Sequence, residues 1–141
     1  MSELLRRVFA VIVALAVAWG IIAIVDVFAA QIHPLPAGVD PTDLQSLKGA
    51  LEAGSIPMAA LILIASGWLL AAYVGGRISI GMARDDGAVW VFAVIFTIGV
   101  YSNLAALPHP EWMWITGLGG CPLFALAAGR QSVQVPRPPV R

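Results

Sequence analysis

Asp26 and His33 stand seven residues apart near the end of a long apolar run. On a helix that spacing places them on one face. A second histidine, His109, ends another apolar run, and both histidines are followed by proline, Pro34 and Pro110. Ser102 and Asn103 lie at the corresponding depth before His109, with Tyr101 beside them. Together Asp26, His33, Tyr101, Ser102, Asn103 and His109 form a candidate polar pocket. Three chemistries suit these groups. The first is structural, with Asp26 neutral or hydrogen-bonded to Ser102 or Asn103; contacts of this kind are typically worth ~0.6 kcal/mol and seldom above ~2. The second is a proton or cation site, because an acid in a membrane-spanning segment is expensive and usually functional. The third is a metal or haem held by His33 and His109, with Asp26 as a third ligand. Against that third reading, both histidines precede proline at helix ends, whereas bundle cofactors are usually held from helix interiors. The first reading is preferred and needs no cofactor or metal.

The elements that position these groups follow from composition. The chain of 141 residues is 60% hydrophobic and 11% charged, far fewer charges than the roughly one-quarter usual in soluble domains. Val8 to Ala30 holds one charge, Asp26, while Pro57–Gly76, Ala88–Leu107 and Trp112–Gly129 hold none. About 20 residues at ~1.5 Å each cross a ~30 Å hydrocarbon core. The pattern predicts an all-α membrane protein with transmembrane helices at about 5–31, 57–80, 88–107 and 111–129. The first apolar run is longer than the roughly 7–15 residues of a signal-peptide core, so an uncleaved helix is expected.

Charge sets the expected orientation. Arg6, Arg7, Arg77, Arg84, Arg130, Arg137 and Arg141 fall at one set of helix ends, and only Lys48 falls at the other. The positive-inside bias then places both termini and the turn over residues 78–87 in the cytoplasm. The expected surroundings are a lipid bilayer, with a homodimer or another membrane protein as partner. Net charge is zero, and no basic field points to nucleic acid. No phosphate-cradling loop, metalloprotease helix or Ser–His nucleophile spacing is present, so an enzyme is not expected.

The two halves resemble one another. Ala29, Ala30, His33 and Pro34 match Ala105, Ala106, His109 and Pro110, and "LAAYVGGR" (70–77) matches "LFALAAGR" (123–130) at four positions. The expected unit is an outward helix, a His-Pro corner, an inward helix and a Gly-Arg exit, repeated in parallel about an axis along the membrane normal.

Between helices, lipid removes the hydrophobic driving force and small residues must permit close packing. Gly67, Ala71, Gly75 and Ser79 recur every four residues, as do Gly117, Cys121, Ala125 and Gly129. The second and fourth spans are expected to pack along these faces, on each other or on the first and third. Pro122 is expected to kink the fourth span. Between spans one and two, Asp40 and Pro41 suggest the start of an outer amphipathic helix at about 41–53, with Leu44, Leu47 and Leu51 on one face and Gly54 as a stop. The single membrane domain covers 1–130, and the proline-rich stretch 131–141 reads as a disordered cytoplasmic tail.

An acid late in the first helix (Asp26), a Pro-rich corner with "AGVDPTD" (37–43), "GWLLAAYVGGR" (67–77) and "PHPEWMWI" (108–115) resemble a group of uncharacterised small bacterial inner-membrane proteins. The resemblance spans most of the chain. It implies a four-helix fold in a bacterial inner membrane and carries no activity. The resulting expectation is a non-enzymatic accessory component that binds a partner or itself through the small-residue faces. The alternatives are a small transporter using Asp26 and a metal or haem site at His33 and His109.

Overall fold

A computed structural model describes residues 2–133. The elements are α1 (Glu3–Ile32), α2 (Leu44–Glu52), α3 (Met58–Ala83), α4 (Asp86–Ala106), α5 (Glu111–Ile115), a π-helical turn (Thr116–Gly120) and α6 (Cys121–Val133). Four helical stretches are long and apolar enough to cross a membrane: α1, α3, α4, and α5 through α6 as far as Arg130. α6 continues to Val133, so residues 131–133 of the expected tail are helical. The remainder of that expected tail, 134–141, lies outside the described residues.

Local chemistry sets the helix ends. The Ser2 hydroxyl accepts from the Leu5 amide at 3.3 Å and caps α1. At the other end His33 leaves the helical region (φ −126°, ψ 76°), which the proline after it disfavours. The turn between α3 and α4 is shorter than the expected span 78–87. Only Arg84 and Asp85 separate the helices, because Arg84 adopts the left-handed conformation (φ 57°) and reverses the chain within two residues. Arg7 Nε pairs with Asp85 Oδ2 at 2.8 Å, and Arg6 Nε donates to the Ala83 carbonyl at 3.0 Å. These two contacts tie the start of α1 to the α3–α4 turn.

The helix predicted at 41–53 begins later, at Leu44, and its cap is Asp43 rather than Asp40. Asp43 accepts from the amides of Gln45 (3.0 Å) and Ser46 (3.3 Å). Asp40 instead accepts from the amide and hydroxyl of Thr42 at 2.8 and 2.7 Å. Those bonds hold its carboxyl below the usual carboxylate range. This local turn diverts the backbone from helix for three further residues. Leu44 is exposed, so the buried face of α2 is Leu47, Ala50 and Leu51. Gly54 follows the helix with φ +62°, the left-handed exit that favours glycine. Replacing Asp43 by alanine removes the cap, which is worth about 1 kcal/mol. We expect faster amide exchange over Leu44–Glu52 and no change in α3; unchanged exchange in α2 would show that packing alone holds it.

α3 is the central helix and packs on α1, α4 and α6. All eight small residues of the two predicted faces are buried. Gly67 meets Val25 of α1, Gly75 lies under the Phe92 ring of α4, Gly76 abuts the Ala125 backbone of α6, and Gly129 meets Val89. Cys121 is fully buried in this core. Phe92, Phe96, Val100, Leu104 and Met113 fill the space between the helices.

Pro122 acts through a π turn. The Cys121 amide bonds the Thr116 carbonyl five residues back, and the Thr116 hydroxyl donates to the Trp112 carbonyl at 2.9 Å. A wider turn just before a proline relieves the clash of its ring with the carbonyl four residues earlier. It also leaves Gly117 against Val100, Leu104 and Trp68.

Candidate functional site: a cavity between α1 and α4

α1 and α4 meet at Trp19. A Cβ on Gly99 would lie 2.5 Å from the Trp19 ring, and Trp19 packs on Phe96 with ring centroids 5.8 Å apart. Toward the α2 end from this contact lies a cavity of about 320 Å³. Its α1 wall is Trp19, Ile22, Asp26, Ala29, Ala30 and His33, a single stripe at helical spacing. Its α4 wall is Val100, Asn103 and Leu107, again one stripe. Leu61, Ile64 and Trp68 of α3 form the back, and Leu47 and Leu51 of α2 lie over it. Asp26 and Asn103 line the cavity and are both exposed, so it is open between α1 and α4 at their level.

Of the six residues proposed from sequence, four line this cavity: Asp26, His33, Asn103 and His109. Tyr101 and Ser102 do not. Tyr101 is exposed and packs edge-on against Trp114, centroids 6.0 Å apart. The Ser102 hydroxyl donates to the Ile98 carbonyl of its own helix at 3.0 Å. The reason is rotation: at about 100° per residue only Asn103 shares a face with Val100 and Leu107, while Tyr101 and Ser102 turn outward. The direct Asp26–Ser102 or Asp26–Asn103 bond is absent. Among the described residues Asp26, Asn103 and His33 have no side-chain hydrogen bond or ion pair.

His109 is positioned by the corner that holds it. Its Nδ1 lies 3.0 Å from the Leu107 carbonyl, which assigns the proton to Nδ1. Its ring stands edge-on to Trp68, centroids 6.0 Å apart. Burial lowers its pKa below the usual histidine range against the opposing pull of backbone carbonyls, so the imidazole is neutral at neutral pH. No three His, Cys, Asp or Glu side chains converge to hold a metal ion among the described residues. Asp26, His33 and His109 are therefore spread around the cavity and are not gathered as a ligand set.

Sequence reasoning missed Trp19, Trp68 and the α2 leucines as parts of this site. Trp19 had a signal, since Trp19, Ile22, Asp26, Ala29 and His33 continue the Asp26–His33 face by two further turns. Trp68 had none, because it lies off the stripe of Gly67, Ala71, Gly75 and Ser79 and is as apolar as its lipid-facing neighbours. No protein-family model, curated protein or solved structure matches this chain.

Proposed function

We propose that this chain is a non-enzymatic multi-pass protein of the bacterial inner membrane that holds a small ligand in the cavity between α1 and α4. Both termini lie in the cytoplasm and α2 lies on the outer surface, which follows from the placement of the seven arginines opposite Lys48. The cavity is the observation that carries the reading. About 320 Å³ is the size of a small-molecule site, and its lining is mostly apolar with a few polar groups. The role is that of an accessory component. The small-residue faces hold the chain itself together, since all eight residues are already buried, so a protein partner would meet other surfaces. The similarity of the two hairpins supports descent from one repeated unit. Superposing α1–α3 on α4–α6 by rotation about the membrane normal is its test.

Native mass spectrometry of protein extracted gently from its own membrane tests the ligand. A retained small molecule that is lost on Asp26→Asn, with the fold unchanged, supports the reading. Bare protein for both chains overturns it.

One observation favours a second reading. Asp26 is an unpartnered acid in a membrane span, as expected of a proton- or cation-coupled transporter. Against it, Phe92 and Phe96 are fully buried between the helices and fill the bundle there. Proton flux in proteoliposomes that disappears in Asp26→Asn would replace ligand holding with transport.

A further inference from the structure

We infer that the cavity between α1 and α4 takes an amphiphile bearing a protonated amine, with the ammonium on Asp26 and the apolar body against Trp19, Trp68, Leu47 and Leu51. The inference rests on the ligand-holding reading above and supplies its ligand class.

The polar lining carries one formal charge, the carboxylate of Asp26. Asp26 offers two acceptor oxygens, and Asn103 adds an amide oxygen beside its own N–H donors. His33 and His109 are the remaining polar side chains in the wall, and no lysine or arginine lines the cavity. A ligand that donates hydrogen bonds and carries positive charge complements this lining, whereas an anion would face Asp26 unscreened. Asp26 itself needs a counter-charge. It has no partner among the described residues, and an acid in a span is costly unless it is paired. An ammonium against it would offset that cost with a charge-assisted hydrogen bond. The two tryptophans add the remaining features. Trp19 lies one heptad before Asp26 on the same stripe, and Trp68 stands behind it beside His109. Indole rings accept apolar chains and, on their faces, cations. The volume suits one short chain, and a longer one would leave between α1 and α4 into the bilayer.

The test uses the full chain in nanodiscs of phosphatidylcholine and phosphatidylglycerol, which carry no primary amine. Decylammonium, decanoate and decanol are titrated separately, and tryptophan emission is followed against empty discs. Decylammonium should give a saturable change and bind at least about tenfold more tightly than decanoate or decanol, as a charge-assisted bond to a carboxylate predicts. Asp26→Asn should remove that preference; Ser102→Ala, on the same helix as Asn103 but outside the cavity, should retain it. Circular dichroism of each variant confirms folding. If decanol or decanoate saturates the site as tightly as the amine, the cavity holds ligands and the amine assignment is overturned. If none saturates, the ligand-holding reading falls with it. Repeating the titration with phosphatidylethanolamine in the disc separates the two sources of the amine. Competition identifies a lipid headgroup, and its absence identifies a free lipophilic amine; either result supports the amine chemistry.

Discussion

Gly76→Ala is expected to destabilise the bundle by about 3 kcal/mol, the upper end of the range for overpacking. A Cβ at this position would press on the Ala125 carbonyl and lie 2.9 Å from the Ala125 Cα and carbonyl carbon. Those atoms are backbone, so no side-chain rotation relieves the contact and α3 must move away from α6. Lipid supplies no compensating hydrophobic force to hold the two helices together. Unfolding in mixed micelles with rising dodecyl sulfate measures the effect. Gly81→Ala provides the control: it lies in the same helix with nothing within 4 Å of its Cβ position. That substitution should be neutral or stabilise by up to about 1 kcal/mol through helix propensity. If both variants unfold at the wild-type detergent fraction, α3 and α6 do not approach as closely as described.

The second large effect belongs to Phe92. Its side chain is fully buried, stacks on Phe96 with centroids 5.5 Å apart, and covers Gly75. In water, truncating such a residue costs about 3–5 kcal/mol. In a bilayer the transfer part is small, because lipid is as apolar as the core. What remains is the void, at about 24 cal/mol per Å³, so Phe92→Ala should cost about 2–3 kcal/mol. Gly75→Ala should cost about 2 kcal/mol by itself, because its methyl would run into the Phe92 ring. The two losses should not add. With the ring gone, the new methyl occupies part of the void, so the double variant should unfold close to Phe92→Ala alone. A coupling of about 1 kcal/mol or more in the four-variant cycle supports the contact. Strict additivity would show that Gly75 and Phe92 do not meet.

Much of the architecture was legible without coordinates because it depends on local quantities. Apolar run length marks four stretches that can span a membrane, and Pro34, Pro108 and Pro110 end two of them because proline cannot continue a helix. Gly54 marks the end of α2 for the same kind of reason, a backbone conformation that glycine adopts readily. The four-residue spacing of small side chains identified buried positions on α3 and α6, since only small residues let backbones approach.

Tertiary structure decided the rest. In a soluble protein polarity reveals which side of a helix faces inward. Here lipid-facing and core-facing surfaces are equally apolar, so the rotation of α4 is hidden from its composition. Only packing against α1 and α3 turned Asn103 into the cavity and left Tyr101 and Ser102 outside it. The same holds for Trp68, whose face is chosen by Gly117 of the π turn and by His109 at the corner. Competition between two aspartates for the start of α2 was settled by Thr42, which engages Asp40 and leaves the cap to Asp43. Residue types therefore determined the membrane spans, their ends and the presence of a costly acid. The cavity that gives Asp26 its surroundings is lined from α1, α2, α3 and α4, whose placement is set by contacts among residues far apart in the chain.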